Sequence, residues 1–140
     1  MLSSYVPDSN LECEPGWETF ENSCYKFVDE SKDWISAEND CVDSEAHLAS
    51  VHSDGEVQFI SSHLTRTSWI GLEWTGNTYN WSDGSGLGFE NWNSGEPNNP
   101  GTENCTRANH APGQEHHNKW TDVRCSNTYS YICKKTLIGK

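Results

Sequence analysis

A chain of 140 residues is one domain's worth, and a formal charge of −12, from nine Lys and Arg against 21 Asp and Glu, removes nucleic acid from its partners. No apolar run approaches the length that crosses a bilayer, so no membrane insertion is expected and cations become the natural ligands. Six cysteines in so short a chain read as three disulfides made in an oxidising compartment, which implies a secreted, extracellular protein and leaves the pairing open. Their spacing includes no Cys-x-x-Cys pair, which argues against zinc.

Residues 1–12 are polar and aperiodic, carry neither a basic nor an apolar signal-peptide region, and read as a flexible lead-in. Trp17–Phe20 and Cys24–Phe27 flank Glu21-Asn22-Ser23 as two arms of a hairpin. Ser31 is placed to cap a first helix, with Asp33 in its first turn and Trp34, Ala37 and Cys41 on one face. Ser53-Asp54-Gly55-Glu56 is a capping box, and Val57, Ile60 and Leu64 follow at helical spacing. Trp69-Ile70-Gly71-Leu72 reads as a buried central strand with a glycine where something packs close. Tyr79-Asn80-Trp81 runs as a strand into the turn Ser82-Asp83-Gly84.

From Gly84 to Gly113 regular structure is expected to be nearly absent, and a loop that long in a small domain is functional or disordered. Trp92, Cys105 and the acidic residues within it favour ordered and functional. Trp120–Cys125 and Tyr129–Cys133 close the chain as strands. The order of elements predicts an α+β layout with segregated helices.

Within the long loop, Glu96-Pro97-Asn98, Glu103 and, further on, Trp120-Thr121-Asp122 supply carboxylates and an amide, the hard oxygens that calcium selects. A proline between Glu96 and Asn98 permits a cis bond that turns both side chains the same way. The alternative for Gly95–Gly101 alone is a turn-rich surface loop.

Together these residues resemble the C-type lectin-like domain family in its long form. The resemblance rests on Trp69-Ile70-Gly71-Leu72, Trp81-Ser82-Asp83-Gly84, Asn91-Trp92, Glu96-Pro97-Asn98, Glu103-Asn104-Cys105, Trp120-Thr121-Asp122 and the closing Cys133. It covers residues 13–135, a carbohydrate-recognition domain, and leaves 136–140 as a tail. It implies a C-type lectin fold: two helices packed on small antiparallel sheets, a long calcium-binding loop, disulfides Cys13–Cys24, Cys41–Cys133 and Cys105–Cys125, and a cis bond before Pro97. It also implies a calcium ion held by Glu96, Asn98, Glu103 and Asp122, whose remaining coordination is completed by vicinal sugar hydroxyls. In this family Glu-Pro-Asn goes with mannose-type sugars, namely mannose, N-acetylglucosamine, glucose and fucose. Galactose bound at the same site beside a stacking aromatic is the alternative, with Trp74 or Tyr79 as the platform.

Two departures stand out. Thr121 occupies the place where sugar-binding members carry Asn, and it exchanges a carbonyl oxygen and an amide donor for one hydroxyl. The stretch 106–119 is longer than the family's usual turn and adds His110, His116, His117 and Asn118 beside the expected ion. Sugar contact by Thr121, His116, His117 or Asn118 is expected in preference to a transition metal at the histidines. Asn80-Trp81-Ser82 and Asn104-Cys105-Thr106 match the glycosylation sequon, of which Asn80 is the accessible candidate.

The expected function is a non-enzymatic, calcium-dependent lectin of innate-immunity type for glycans of glycoproteins or microbial surfaces. Each site would be weak, so avidity would come from a homo-oligomer formed by contact between domains. The second reading keeps the fold and replaces sugar with a protein, mineral or ice surface. Catalysis is not expected, because ionised metal ligands make poor proton carriers and no nucleophile motif is present.

Overall fold

The computed structural model describes residues 12–137, so most of the expected lead-in and tail lies outside the described residues. Strands β1 (Glu18–Phe20) and β2 (Ser23–Lys32) make the expected hairpin, turning through Glu21 at φ 52°. Helix α1 (Trp34–Asp43) buries Trp34, Ala37 and Cys41 as its spacing requires. Its cap is Asp33, whose carboxylate accepts from the Ser36 amide at 2.9 Å. Ser31, the cap expected from sequence, is still part of β2, where the next residue, Lys32, pairs with Tyr129.

A two-residue strand, β3 (His47–Leu48), precedes helix α2 (Asp54–His63). Ser53 Oγ accepts from the Glu56 amide at 3.1 Å, and Glu56 Oε1 reaches back to the His52 amide at 2.8 Å, so the predicted capping pair forms one residue wider than a strict box. The remaining strands are β4 (Ser68–Trp74), β5 (Tyr79–Trp81), β6 (Cys105–Ala108), β7 (Trp120–Val123) and β8 (Tyr129–Thr136). Strand β6 corrects the expectation of an almost structureless stretch between 84 and 113. Four residues among Gly, Asn and Pro carry little strand signal, yet β6 is fixed by pairing with β4 on one side and β7 on the other.

One sheet runs in the order β1-β2-β8-β4-β6-β7, with β3 added to β8 and β5 to β4. Its pairs are antiparallel except β4 with β8, which is parallel. Helix α1 joins one apolar cluster with Leu48, Trp69, Val123 and Tyr131, while α2 joins another with Tyr25, Ile70, Leu72, Trp81, Trp120 and Ile132. Gly71 is where these layers touch: a Cβ there would sit 2.6 Å from the Leu48 carbonyl oxygen and 2.8 Å from Ser82 Oγ, so no larger residue fits. Disulfides Cys13–Cys24, Cys41–Cys133 and Cys105–Cys125 staple the hairpin, α1 to β8, and the strand bearing the long loop.

Candidate functional site

The acidic set expected from sequence is assembled at the β7 edge of the sheet. Glu96 and Asn98 come from the loop, Glu103 from just before β6 and Asp122 from β7. The Glu96–Pro97 bond is cis. Asp122 is 1% exposed, and its two carboxylate oxygens accept from the backbone amides of Asn98 at 3.1 Å and Asn99 at 2.9 Å, which ties the loop to the strand. Glu103 closes a short turn, donating its amide to the Asn99 carbonyl at 2.8 Å while its Oε1 accepts from Asn99 Nδ2 at 3.3 Å.

Glu96 differs from both. Its Oε1 is buried with no hydrogen-bond partner, and its carboxyl stands against that of Asp122. Burial first, then the apposed Asp122 and the charge of Glu103, push its pKa up to about 7, with Arg107 opposing. Among the described residues no three His, Cys, Asp or Glu side chains are grouped to hold a metal by themselves. Glu96, Glu103 and Asp122 therefore need the amide of Asn98, main-chain oxygens or a ligand's own oxygens to fill the six to eight positions of a calcium shell. Excess negative charge and an unpartnered buried oxygen nevertheless suit a hard cation, and among the described residues no cationic side chain forms an ion pair with Glu96.

Thr121 is half-buried, and its Oγ1 accepts from Asn109 Nδ2 at 2.8 Å. Asn109, which sequence reasoning missed, also donates to the Lys119 carbonyl at 2.8 Å and accepts from Arg107 Nε at 3.1 Å. It buttresses β7 from behind. No local pattern marks it, because its partners lie across strands.

The lengthened loop behaves differently from expectation. Asn118 is 2% exposed and sits at φ 60°, and its amide donates to the Val57 carbonyl at 3.0 Å and Ser61 Oγ at 2.9 Å. His117 Nδ1 accepts from the Ala111 amide at 3.0 Å and its other nitrogen meets the Ser61 carbonyl at 3.1 Å. Both side chains are thus fastened to α2, Asn118 buried and His117 half-buried, and neither hydrogen-bonds a member of the acidic set. His116 is half-buried and gives the backbone carbonyl that Lys119 bonds at 3.0 Å. His110 stacks edge-on to His117 with ring centres 5.7 Å apart.

Trp69, Trp81 and Trp120 are buried and Trp92 is half-buried, as core positions should be. Tyr79 lies between Trp74 and Trp92, with ring centres at 5.1 and 5.2 Å and its hydroxyl buried, so it is packing and not a platform. Trp74 remains half-buried. A groove of about 1200 Å³ opens elsewhere, among Glu14, Glu45, His47, Asp83 and Lys135, and none of the acidic set lines it.

Residues 30–135 match the profile described as the lectin C-type domain. The chain is 38% identical over 128 residues to the low affinity immunoglobulin epsilon Fc receptor of Mus musculus, covering 88% of this chain and 37% of that receptor. It is 35% identical over 131 residues to ladderlectin of Oncorhynchus mykiss, covering 87% of this chain and 67% of that protein. The chain thus spans between about a third and two thirds of these relatives' length. Among solved structures, a calcium-independent type II antifreeze protein superposes with a TM-score of 0.86 at 27% identity, covering 94% of this chain and 100% of that one. The cow C-type carbohydrate-recognition domain of CD23, studied in the presence of a GlcNAc2Man3 oligosaccharide, superposes with a TM-score of 0.81 at 31% identity, covering 91% and 98%.

Proposed function

We propose, for a chain that belongs to the C-type lectin domain family and is a binding protein, not an enzyme, that it binds mannose-type glycans through calcium. The observation that carries this is the acidic set: Glu96 from the loop, Glu103 from before β6 and Asp122 from β7 place their charges together, and Glu96 Oε1 is buried without a partner. Carboxylates so placed repel one another until a cation joins them. Glu96, Asn98, Glu103 and Asp122 would hold the ion, with Thr121 at its margin. Bound calcium supplies open coordination positions that a vicinal diol fills. The chain's own part is to keep hard oxygens converged and to accept charge-assisted hydrogen bonds from the same hydroxyls through Glu96 and Glu103. Thr121 Oγ1 accepts from Asn109 yet keeps its own proton to donate.

Three disulfides support secretion into an extracellular setting, and weak single sites make oligomeric presentation to glycoprotein or microbial glycans useful. A glycan array probed in calcium and again in EDTA tests the reading. Calcium-dependent retention on mannose- or N-acetylglucosamine-type glycans is expected. Galactose retention would keep the ion and change the sugar, with Trp74 as the stacking candidate.

A second reading is favoured by one contact: the Asp122 carboxylate accepts from two backbone amides of the loop. Combined with Thr121 and the likeness to a calcium-independent antifreeze protein, it supports a protein, mineral or ice surface as the target. Array silence in both conditions, with no heat on calcium titration, would select it.

A further inference from the structure

Among the described residues four buried polar side-chain atoms lack a hydrogen-bond partner, and three of them, Tyr79 Oη, Glu96 Oε1 and Thr106 Oγ1, belong to residues that pair with Asp122 or feel its charge. Thr106 is fully buried in β6 and stands directly across from Asp122 in β7, so the two side chains rise from the same face of the ladder. The Tyr79 ring is clamped between Trp74 and Trp92, which fixes where its hydroxyl lies. Burial and the charges of Asp122 and Glu96 push that hydroxyl's pKa up to about 12, as expected of a phenol facing carboxylates. Folded proteins leave few buried polar atoms unpaired, and scatter does not link three of four to one residue. Both Asp122 oxygens accept from the Asn98 and Asn99 amides, and neither hydroxyl donates to them or to the unpartnered Glu96 Oε1.

We propose that Tyr79 and Thr106 are positioning residues of the cation site, whose hydroxyls donate to the carboxylates of Asp122 and Glu96, directly or through one buried water, once those carboxylates turn to a bound calcium ion. The inference rests on the calcium reading above. It assigns this chain an outer layer of support for the ligands, built from strands β5 and β6 and not from the loop. Such a layer orients ligand lone pairs and raises affinity without touching the metal.

The two roles have opposite signatures. A hydroxyl that is unpaired without the ion and paired with it can be deleted from the cation-free protein at no loss, whereas its deletion weakens the loaded form. Tyr79→Phe, Thr106→Val and the conservative Thr106→Ser are therefore compared with the wild type by calcium calorimetry and by thermal melts in EDTA and in saturating calcium. The expected result is a calcium affinity about tenfold weaker in Tyr79→Phe and in Thr106→Val, melts in EDTA unchanged or raised, and near wild-type affinity in Thr106→Ser. Wild-type affinity in both deletions, while the wild type binds calcium, would overturn this inference alone. A melt in EDTA that falls as far as the melt in calcium would also overturn it, since that marks plain packing. Absence of calcium heat in the wild type would remove the calcium reading and this inference together.

Discussion

Glu56 and Glu96 are the same side chain, the first buried and the second half-buried with one oxygen out of reach of water, in opposite electrostatic surroundings. Glu56, 5% exposed on α2, accepts from Tyr25 Oη at 2.5 Å, the His52 amide at 2.8 Å and Lys134 Nζ at 2.6 Å. Its charge is closed within the chain by donors and a cation. Glu96 faces two further carboxylates and leaves an oxygen without a donor. Glu56 is a structural joint surrounded by hydrogens, whereas Glu96 keeps an oxygen that no donor among the described residues meets.

The contrast can be broken most completely at Glu96. Glu96→Ala is expected to abolish calcium-dependent retention on the glycan array and to leave the melt in EDTA unchanged or higher, since it deletes a repelled charge. A variant that still binds sugar would dissolve the distinction. Lys134→Ala probes the closed side: it strands Glu56 without its cation and is expected to cost about 3 kcal/mol in denaturant unfolding, with calcium affinity untouched. A loss below about 1 kcal/mol would mean that Tyr25 and the His52 amide suffice.

A smaller effect comes from pH. The Glu96 carboxyl is raised from 4.5 to about 7, so without calcium its contribution to stability is full below its ordinary value and is lost as pH rises through about 7. Calcium must displace that proton, so affinity is expected to climb between about pH 5 and pH 7.5, and calorimetry across that range reads it. A flat profile would place Glu96 outside the site. The least change is expected from Thr121→Asn, which returns a carbonyl oxygen to the margin of the site and should tighten calcium a few-fold.

Much of this was legible in sequence where the signal is local. The capping serine at 53, the hairpin about Glu21 and the apolar run of the buried strand depend on near neighbours, while the cis bond before Pro97 came from the resemblance. The resemblance supplied the disulfide pairing. What could not be read depends on contacts between distant segments. Asp33 displaced Ser31 as a cap because β2 runs on to pair with β8. Asn118 and His117, polar residues in a polar loop, looked available until α2 proved to hold them. Thr106, Tyr79 and Asn109 acquire their meaning only from the strands opposite them.

The ends of the described chain meet at one side of the molecule. Lys135 Nζ lies 2.6 Å from Glu14 Oε1, and the Leu137 amide bonds the Asn22 carbonyl at 2.7 Å. Asp122, in contrast, belongs to β7, the opposite margin of the sheet, five strand spacings from β1 or about 24 Å along it. A tether attached at residue 12 or 137, the limits of the described chain, is therefore separated from the acidic loop by the width of the sheet.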